Sequence, residues 1–282
     1  MPGQLVDEIG HLVGIAGELD RRAIGPCGQD LRASLQQGVE LGSRDGGDDQ
    51  LAVVHVVARQ VLDLDDLDQP LELLAHLVRF VNNTGLLQPQ EVLIEMYKRC
   101  ESEAIVVADV GQNQIWAALW FDYDKPGLFL NSGGTGCMGF AFPAAMGAKF
   151  ANPDKTVFCV TGEGGFVMNQ QELATVAEHN VEIKILILNN RSLGMVRQFQ
   201  DDFYGGIRSQ VDLSQGPDFV KLADAYGIKA MRTDNAKDIA GMLDEAMAHK
   251  GPVLMEYVID PDANVYAIVP LGKGLLEFVE AK

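Results

Sequence analysis

The first 85 of the 282 residues contain no lysine, no tyrosine and no tryptophan, and Phe80 is their only aromatic residue. All eleven lysines stand at Lys98 or later. A segment with a single aromatic ring can assemble only a thin core. Cysteine is scarce as well. Cys27, Cys100, Cys137 and Cys159 show no CxxC spacing, and each sits among apolar or small neighbours, as buried thiols would. A disulfide framework or a zinc centre is therefore not expected. No apolar run approaches the roughly 20 residues that span a bilayer. The opening MPGQLVDEIGHL has no basic stretch leading into an apolar one. These absences lead us to expect a soluble, cytoplasmic protein. Basic residues are also few, 22 against 40 acidic, for a formal charge of −18. Nucleic acid and anionic membrane surfaces are thereby excluded as general partners. A phosphate group would have to be met by a local site.

What is present is the composition of a globular chain, 47% hydrophobic and 22% charged. Residues 1–85 hold 14 Asp or Glu and 6 Arg, a net −8. Apolar stretches at 51–57 (LAVVHVV) and 71–81 alternate with Asp63, Asp65, Asp66 and Asp68. A short strand and one or two amphipathic helices fit this periodicity. The aspartate run reads as a solvated acidic turn, because it lacks the spacing of a calcium loop. We assign no motif to 1–85 and treat it as a separate segment, partly disordered or helical.

From residue 86 the texture changes. Helical periodicity covers 90–100, 115–121, 138–150, 169–179, 218–226 and 236–249, and apolar strand-like runs cover 104–110, 156–161, 183–188, 228–231 and 253–259. Continuous apolar strands separated by helices predict an α/β domain over 86–282, a doubly wound parallel sheet with helices on both faces. His179 and His249 fall at helix C-termini, where they read as dipole-compensating or capping groups. Ligands of such sheets bind beyond the carboxyl ends of the strands, so the chemistry is sought there.

The most informative turn follows the strand TVFCV: Thr161, Gly162, Glu163, Gly164, Gly165 and Phe166. Glycines flanking a carboxylate let backbone approach a phosphate while the acid faces a neutralising ion. With 24 residues between them, Gly164 is followed by Asn189-Asn190 at the end of the run IKILIL. One helix and one strand fill that gap, so the two turns can lie side by side. They would present a carboxylate, a carboxamide and carbonyls, the hard oxygen ligands that Mg²⁺ takes when it also holds a diphosphate.

This pattern resembles the diphosphate motif of thiamine-diphosphate enzymes. More closely, residues from about 87 onward are similar to the C-terminal cofactor-binding domain of the acetolactate synthase large, catalytic subunit. The stretches that carry the resemblance are 110–118 (VGQNQIWAA), 131–149 (NSGGTGCMGFAFPAAMGAK), 162–180, 184–200 and 202–213, together with the tail from 252. It implies thiamine diphosphate and Mg²⁺ as cofactors. Glu163 and Asn190 would be side-chain ligands of the metal and Ser192 a main-chain one. Gly162, Gly164 and Gly165 would face the diphosphate, and Asn189 would brace its loop. Gly136 and Met138 would meet the aminopyrimidine through main-chain groups, and Met195 would wedge the cofactor into its bent form. Val110, Gly111, Gln112 and Gln114 would line its far side. The implied activity is a transferase reaction of branched-chain amino acid synthesis. It joins two small 2-keto acids with loss of CO₂, pyruvate giving 2-acetolactate.

Three departures from the family pattern stand out. Glu163 replaces the usual aspartate, and its extra methylene shifts the carboxylate by roughly 1.3 Å, large for an ion with near-octahedral demands. Phe199 stands where the family carries a tryptophan that helps choose the acceptor keto acid, and Asn113 replaces a histidine. The third departure concerns the family's catalytic glutamate, which lies in a pyrimidine-binding domain. That domain and the FAD-carrying middle domain need about 350 residues at the usual domain size. Hence no catalytic residue is assigned to this chain and FAD is not expected. A homo-oligomer or a second chain bearing the pyrimidine-binding domain would complete the site, with a regulatory small subunit as a further implied partner. Two alternatives remain: a module that keeps the cofactor fold without turnover, and another thiamine-diphosphate 2-keto acid decarboxylase or oxidase.

Overall fold

A computed structural model describes residues 84–100, 103–266, 268–270 and 272–274. Expectations for residues 1–83, and for Cys27 among them, lie outside the described residues. One compact unit spans Val81–Val265 and contains everything discussed below.

Its elements are α1 (Pro89–Cys100), β1 (Ile105–Ala108), α2 (Gln112–Trp120), β2 (Phe129–Asn131), α3 (Ala141–Ala151), β3 (Val157–Thr161), α4 (Glu163–Met168), a 3₁₀ turn (Gln170–Glu172), α5 (Leu173–Glu178), β4 (Lys184–Asn189), α6 (Gly194–Phe203), α7 (Phe219–Ala225), β5 (Lys229–Thr233), α8 (Ala236–Ala248) and β6 (Val253–Val258). The strands form one sheet in the order β2-β1-β3-β4-β6-β5, and every pairing is parallel.

The continuous apolar runs follow from burial on both faces. Side chains alternate across a strand. Val106, Ala108, Phe158, Val160, Leu186, Leu188, Val253, Met255 and Tyr257 enter one core, with Trp116 of α2 and Leu243 of α8. Ile105, Val107, Val157, Cys159, Ile185, Ile187 and Leu254 enter the opposite core, with Phe142 of α3 and Phe219 of α7. Each buried Val, Leu, Ile, Phe or Met among them contributes about 1.5–3 kcal/mol by leaving water. The doubly wound α/β sheet is thus present as the sequence predicts.

Several local expectations are corrected. A three-residue edge strand, β2, had no counterpart in the sequence reading, nor did α6. The glycine turn after β3 is the short helix α4, and the helix expected over 169–179 is a 3₁₀ turn followed by α5. Helix α3 begins at Ala141 rather than 138, because Gly139, at φ +82, cannot continue the helix. Two cysteines are not buried: Cys137 is exposed and Cys100 half-buried, while Cys159 lies in the core. Among the described residues no helix is long and apolar enough to cross a membrane.

Candidate cofactor site

Parallel pairing of β3 with β4 and of β1 with β3 brings three strand-to-helix turns to one edge of the sheet. They are residues 109–112 after β1, 162–165 after β3 and 189–193 after β4. Glu163, only 4% exposed, projects from the first position of α4. One of its carboxylate oxygens accepts from the Ser192 amide at 2.5 Å. The same amide donates to Asn190 Oδ1 at 3.2 Å. Two side-chain oxygens from neighbouring turns therefore converge on one point. Burial, opposed only partly by the backbone amides of Glu163, Ser192 and Asn190, pushes the Glu163 carboxyl up to about 7. A buried acid whose pKa is raised in this way would give up its proton to a divalent cation.

The turn after β4 is locked from behind. Asn189 donates to the buried Glu256 at 2.7 Å and accepts from the Arg191 amide at 2.9 Å, holding Arg191 at a left-handed φ of 59°. Glu256 is held in turn by Arg232 at 2.6 Å. Asn190 donates to Gln112 Oε1 at 3.1 Å. Gln112 donates to Gln198 at 2.9 Å and to the Ala263 carbonyl at 3.1 Å, so its carboxamide is committed to protein rather than open to a ligand. Gly194 must lack a side chain here: a Cβ would lie 2.0 Å from Gln112 Oε1.

The first turn meets the segment before α3. Asp109, 1% exposed, accepts from the amides of Val110 at 3.0 Å, Gly139 at 3.0 Å and Ala141 at 2.9 Å. Asn113 donates to the Asp109 carbonyl at 2.7 Å and to Val160 at 3.4 Å, tying the ends of β1 and β3 together. Gly136, at φ +62, lies against Val110, whose Cγ2 would be 3.2 Å from an added Cβ. Gly164 has Leu193, Leu213 and the Met138 methyl within 3.5 Å of the position of its missing Cβ. Gly111 precedes α2 at φ +122 and Gly162 precedes α4.

The structure thus gathers Val110, Gly111, Gly136, Met138, Gly162, Glu163, Gly164, Gly165, Asn189, Asn190 and Ser192 at one sheet edge. Gln114 lies half-buried in the first turn of α2, and Met195 half-buried in the first turn of α6. Phe199 is 39% exposed further along α6, its ring centroid 5.7 Å from that of Phe203. Sequence reasoning missed Asp109, Gln198 and Glu256. All three act through partners distant in the chain, and only a carboxylate directly after an apolar strand hinted at the first.

Among the described residues no three His, Cys, Asp or Glu side chains cluster to hold a metal by themselves. A cation here would need Glu163, the Asn190 carboxamide oxygen, a carbonyl and oxygens brought by its ligand. That set suits Mg²⁺ bound with a diphosphate.

Residues 109–257 match the family described as thiamine pyrophosphate enzyme, C-terminal TPP binding domain. The chain belongs to this family. It is 44% identical over 200 residues to a probable acetolactate synthase large subunit of Methanococcus aeolicus, covering 69% of this chain and 33% of that protein. Its identity to the probable large subunit of Methanocaldococcus jannaschii is 47% over 190 residues, 67% of this chain and 32% of that one. With the isozyme 3 large subunit of Escherichia coli it shares 36% over 258 residues, 89% of this chain and 43% of the relative. The last alignment is longer than residues 86–282 alone could supply, so it enters the segment that the sequence reading leaves unassigned. The chain spans about a third of the length of the first two relatives.

Proposed function

We propose that this sheet edge binds thiamine diphosphate through Mg²⁺ and serves an acetolactate synthase, which condenses two 2-keto acids, pyruvate giving 2-acetolactate, with loss of CO₂. The convergence of the Glu163 and Asn190 oxygens on the Ser192 amide carries the reading. In it, Glu163 and Asn190 hold the metal by their side chains and Ser192 by its carbonyl. Gly162, Gly164 and Gly165 admit the diphosphate, because the leading amides of a helix have no carbonyl to pair with inside it. Gly136 and Met138 present main-chain groups to the aminopyrimidine, Val110, Gly111 and Gln114 form the wall behind it, and Gln112 supports that wall from within the protein by holding Asn190. Met195 stands where it can hold the cofactor bent, and Phe199 borders the acceptor keto acid. When bound, the cofactor supplies the nucleophilic carbon and the electron sink for decarboxylation. The protein orients it and keeps water away.

Among the described residues, the three buried carboxylates at the site are all engaged, Asp109 and Glu163 by backbone amides and Glu256 by Asn189 and Arg232. The proton-donating glutamate then comes from a pyrimidine-binding domain outside these residues, supplied in a homo-oligomer or by a second chain, with a regulatory small subunit as a further partner. The cytoplasm is the compartment this reading implies.

The test is to titrate the purified chain with thiamine diphosphate with and without Mg²⁺. Acetolactate formation from pyruvate is then measured with the chain alone and with a full-length relative whose own metal-binding acid is mutated. Mg²⁺-dependent binding, and turnover only with the helper, is the expected result. Absence of Mg²⁺-dependent binding refutes the cofactor assignment, and turnover by the lone chain refutes the shared site.

A further inference from the structure

Asp109 is a buried carboxylate to which the proposed chemistry gives no part. Its partners are three backbone amides rather than a cation: Oδ1 accepts from Val110 and Gly139, and Oδ2 from Ala141. Burial raises its pKa above the usual carboxylate range, the amides opposing that rise. The site thus retains an acid where ionisation is costly. A carboxylate is acceptor-only, and all three of its neighbours are donors; a carboxamide would turn its own N–H toward one of them.

A second turn closes on the same group. A Cβ at Gly165 would lie 2.5 Å from Asp109 Oδ1 and 2.9 Å from its Cγ, so α4 approaches the carboxylate only because residue 165 has no side chain. Gly139 is gripped from its other side by Asn169, which donates to its carbonyl at 2.7 Å.

We infer that Asp109 is a positioning residue that fixes the 136–141 segment against α4, so that the ring end and the diphosphate end of the cofactor meet one rigid unit. The inference rests on the function proposed above and adds to it the coupling between the two halves of the binding site.

Two probes separate the halves: thiamine diphosphate, which needs both, and inorganic pyrophosphate with Mg²⁺, which needs only the 163 and 190 turns. In Asp109→Asn, affinity for thiamine diphosphate should fall about tenfold while affinity for pyrophosphate stays within about twofold, one unmatched buried donor being worth that much. A merely structural role would weaken both probes alike, and that result overturns the inference, as does unchanged binding of both. Should the variant not fold, hydrogen exchange on the wild-type chain decides. Thiamine diphosphate, and not pyrophosphate, should slow exchange at the amides of Gly139 and Ala141, and failure to do so while binding overturns it. A wild-type chain that binds neither probe removes the cofactor reading and this inference together. The two failures are thus distinguishable.

Discussion

Glu163 offers a direct measure of what the metal turn costs when no cation is present. Its carboxyl is pushed from an ordinary 4.5 to about 7, chiefly by burial. A shift of that size corresponds to roughly 3 kcal/mol. The acid holds its proton more tightly folded than unfolded. Folding stability therefore falls as pH rises from about 4.5 to about 7 and stays low above that. Glu163→Gln keeps an oxygen for the Ser192 amide but cannot ionise. The variant should match wild type near pH 5 and exceed it at pH 8 without metal, by up to about 6–12 °C in Tm at about 2–4 °C per kcal/mol. Mg²⁺ with thiamine diphosphate should raise the wild-type Tm at pH 8 and leave the variant unmoved. Thermal melts at both pH values, read as the difference between the two proteins, isolate this carboxyl from other titrating groups. A difference that stays flat from pH 5 to pH 8 would show that Glu163 is not the buried acid described.

Glu163→Asp withdraws the carboxylate by one methylene from its 2.5 Å contact with the Ser192 amide. Mg²⁺-dependent thiamine diphosphate binding should tighten by about tenfold, and unchanged affinity in a titration counts against the ligand assignment. In Gly194→Ala the new methyl would stand 2.0 Å from Gln112 Oε1 and 2.5 Å from Asn190 Nδ2. Gln112 is 3% exposed and fully engaged, so it cannot swing clear. A loss of about 1–3 kcal/mol is expected by denaturant unfolding, accompanied by weaker cofactor binding.

The sheet was legible because most of its strands are buried on both faces: five mainly apolar runs, each broken by no more than one or two polar residues, correspond to β1, β3, β4, β6 and the half-buried edge strand β5. Strand β2 escaped notice because three half-buried residues at an edge leave no pattern. Helix α6 escaped for a different reason. It buries Arg197 and Gln198 and leaves Val196, Phe199 and Phe203 exposed, which inverts the periodicity that marks an ordinary surface helix. Arg197 is held by Asn264 at 2.7 Å and the Ala263 carbonyl at 2.8 Å, partners that no local window contains. In α4, Gly164 and Gly165 suggested a turn, yet the helix forms and the second glycine is needed by Asp109. At the site, the spacing from Gly164 to Asn189 sufficed to set the two turns side by side. The grip of Glu256 on Asn189 and the reach of Asp109 across to Gly139 depend on contacts made by the completed sheet.

Gln112 ties Asn190, Gln198 and the Ala263 carbonyl with a single amide group. Residue 112, the stretch holding 190 and 198, and residue 263 thus share one knot; the side chains at 112, 190 and 198 cannot change without the others registering it, whereas residue 263 joins through its main chain alone. Changes at these positions are not independent, and their combined effect will differ from the sum of the separate ones.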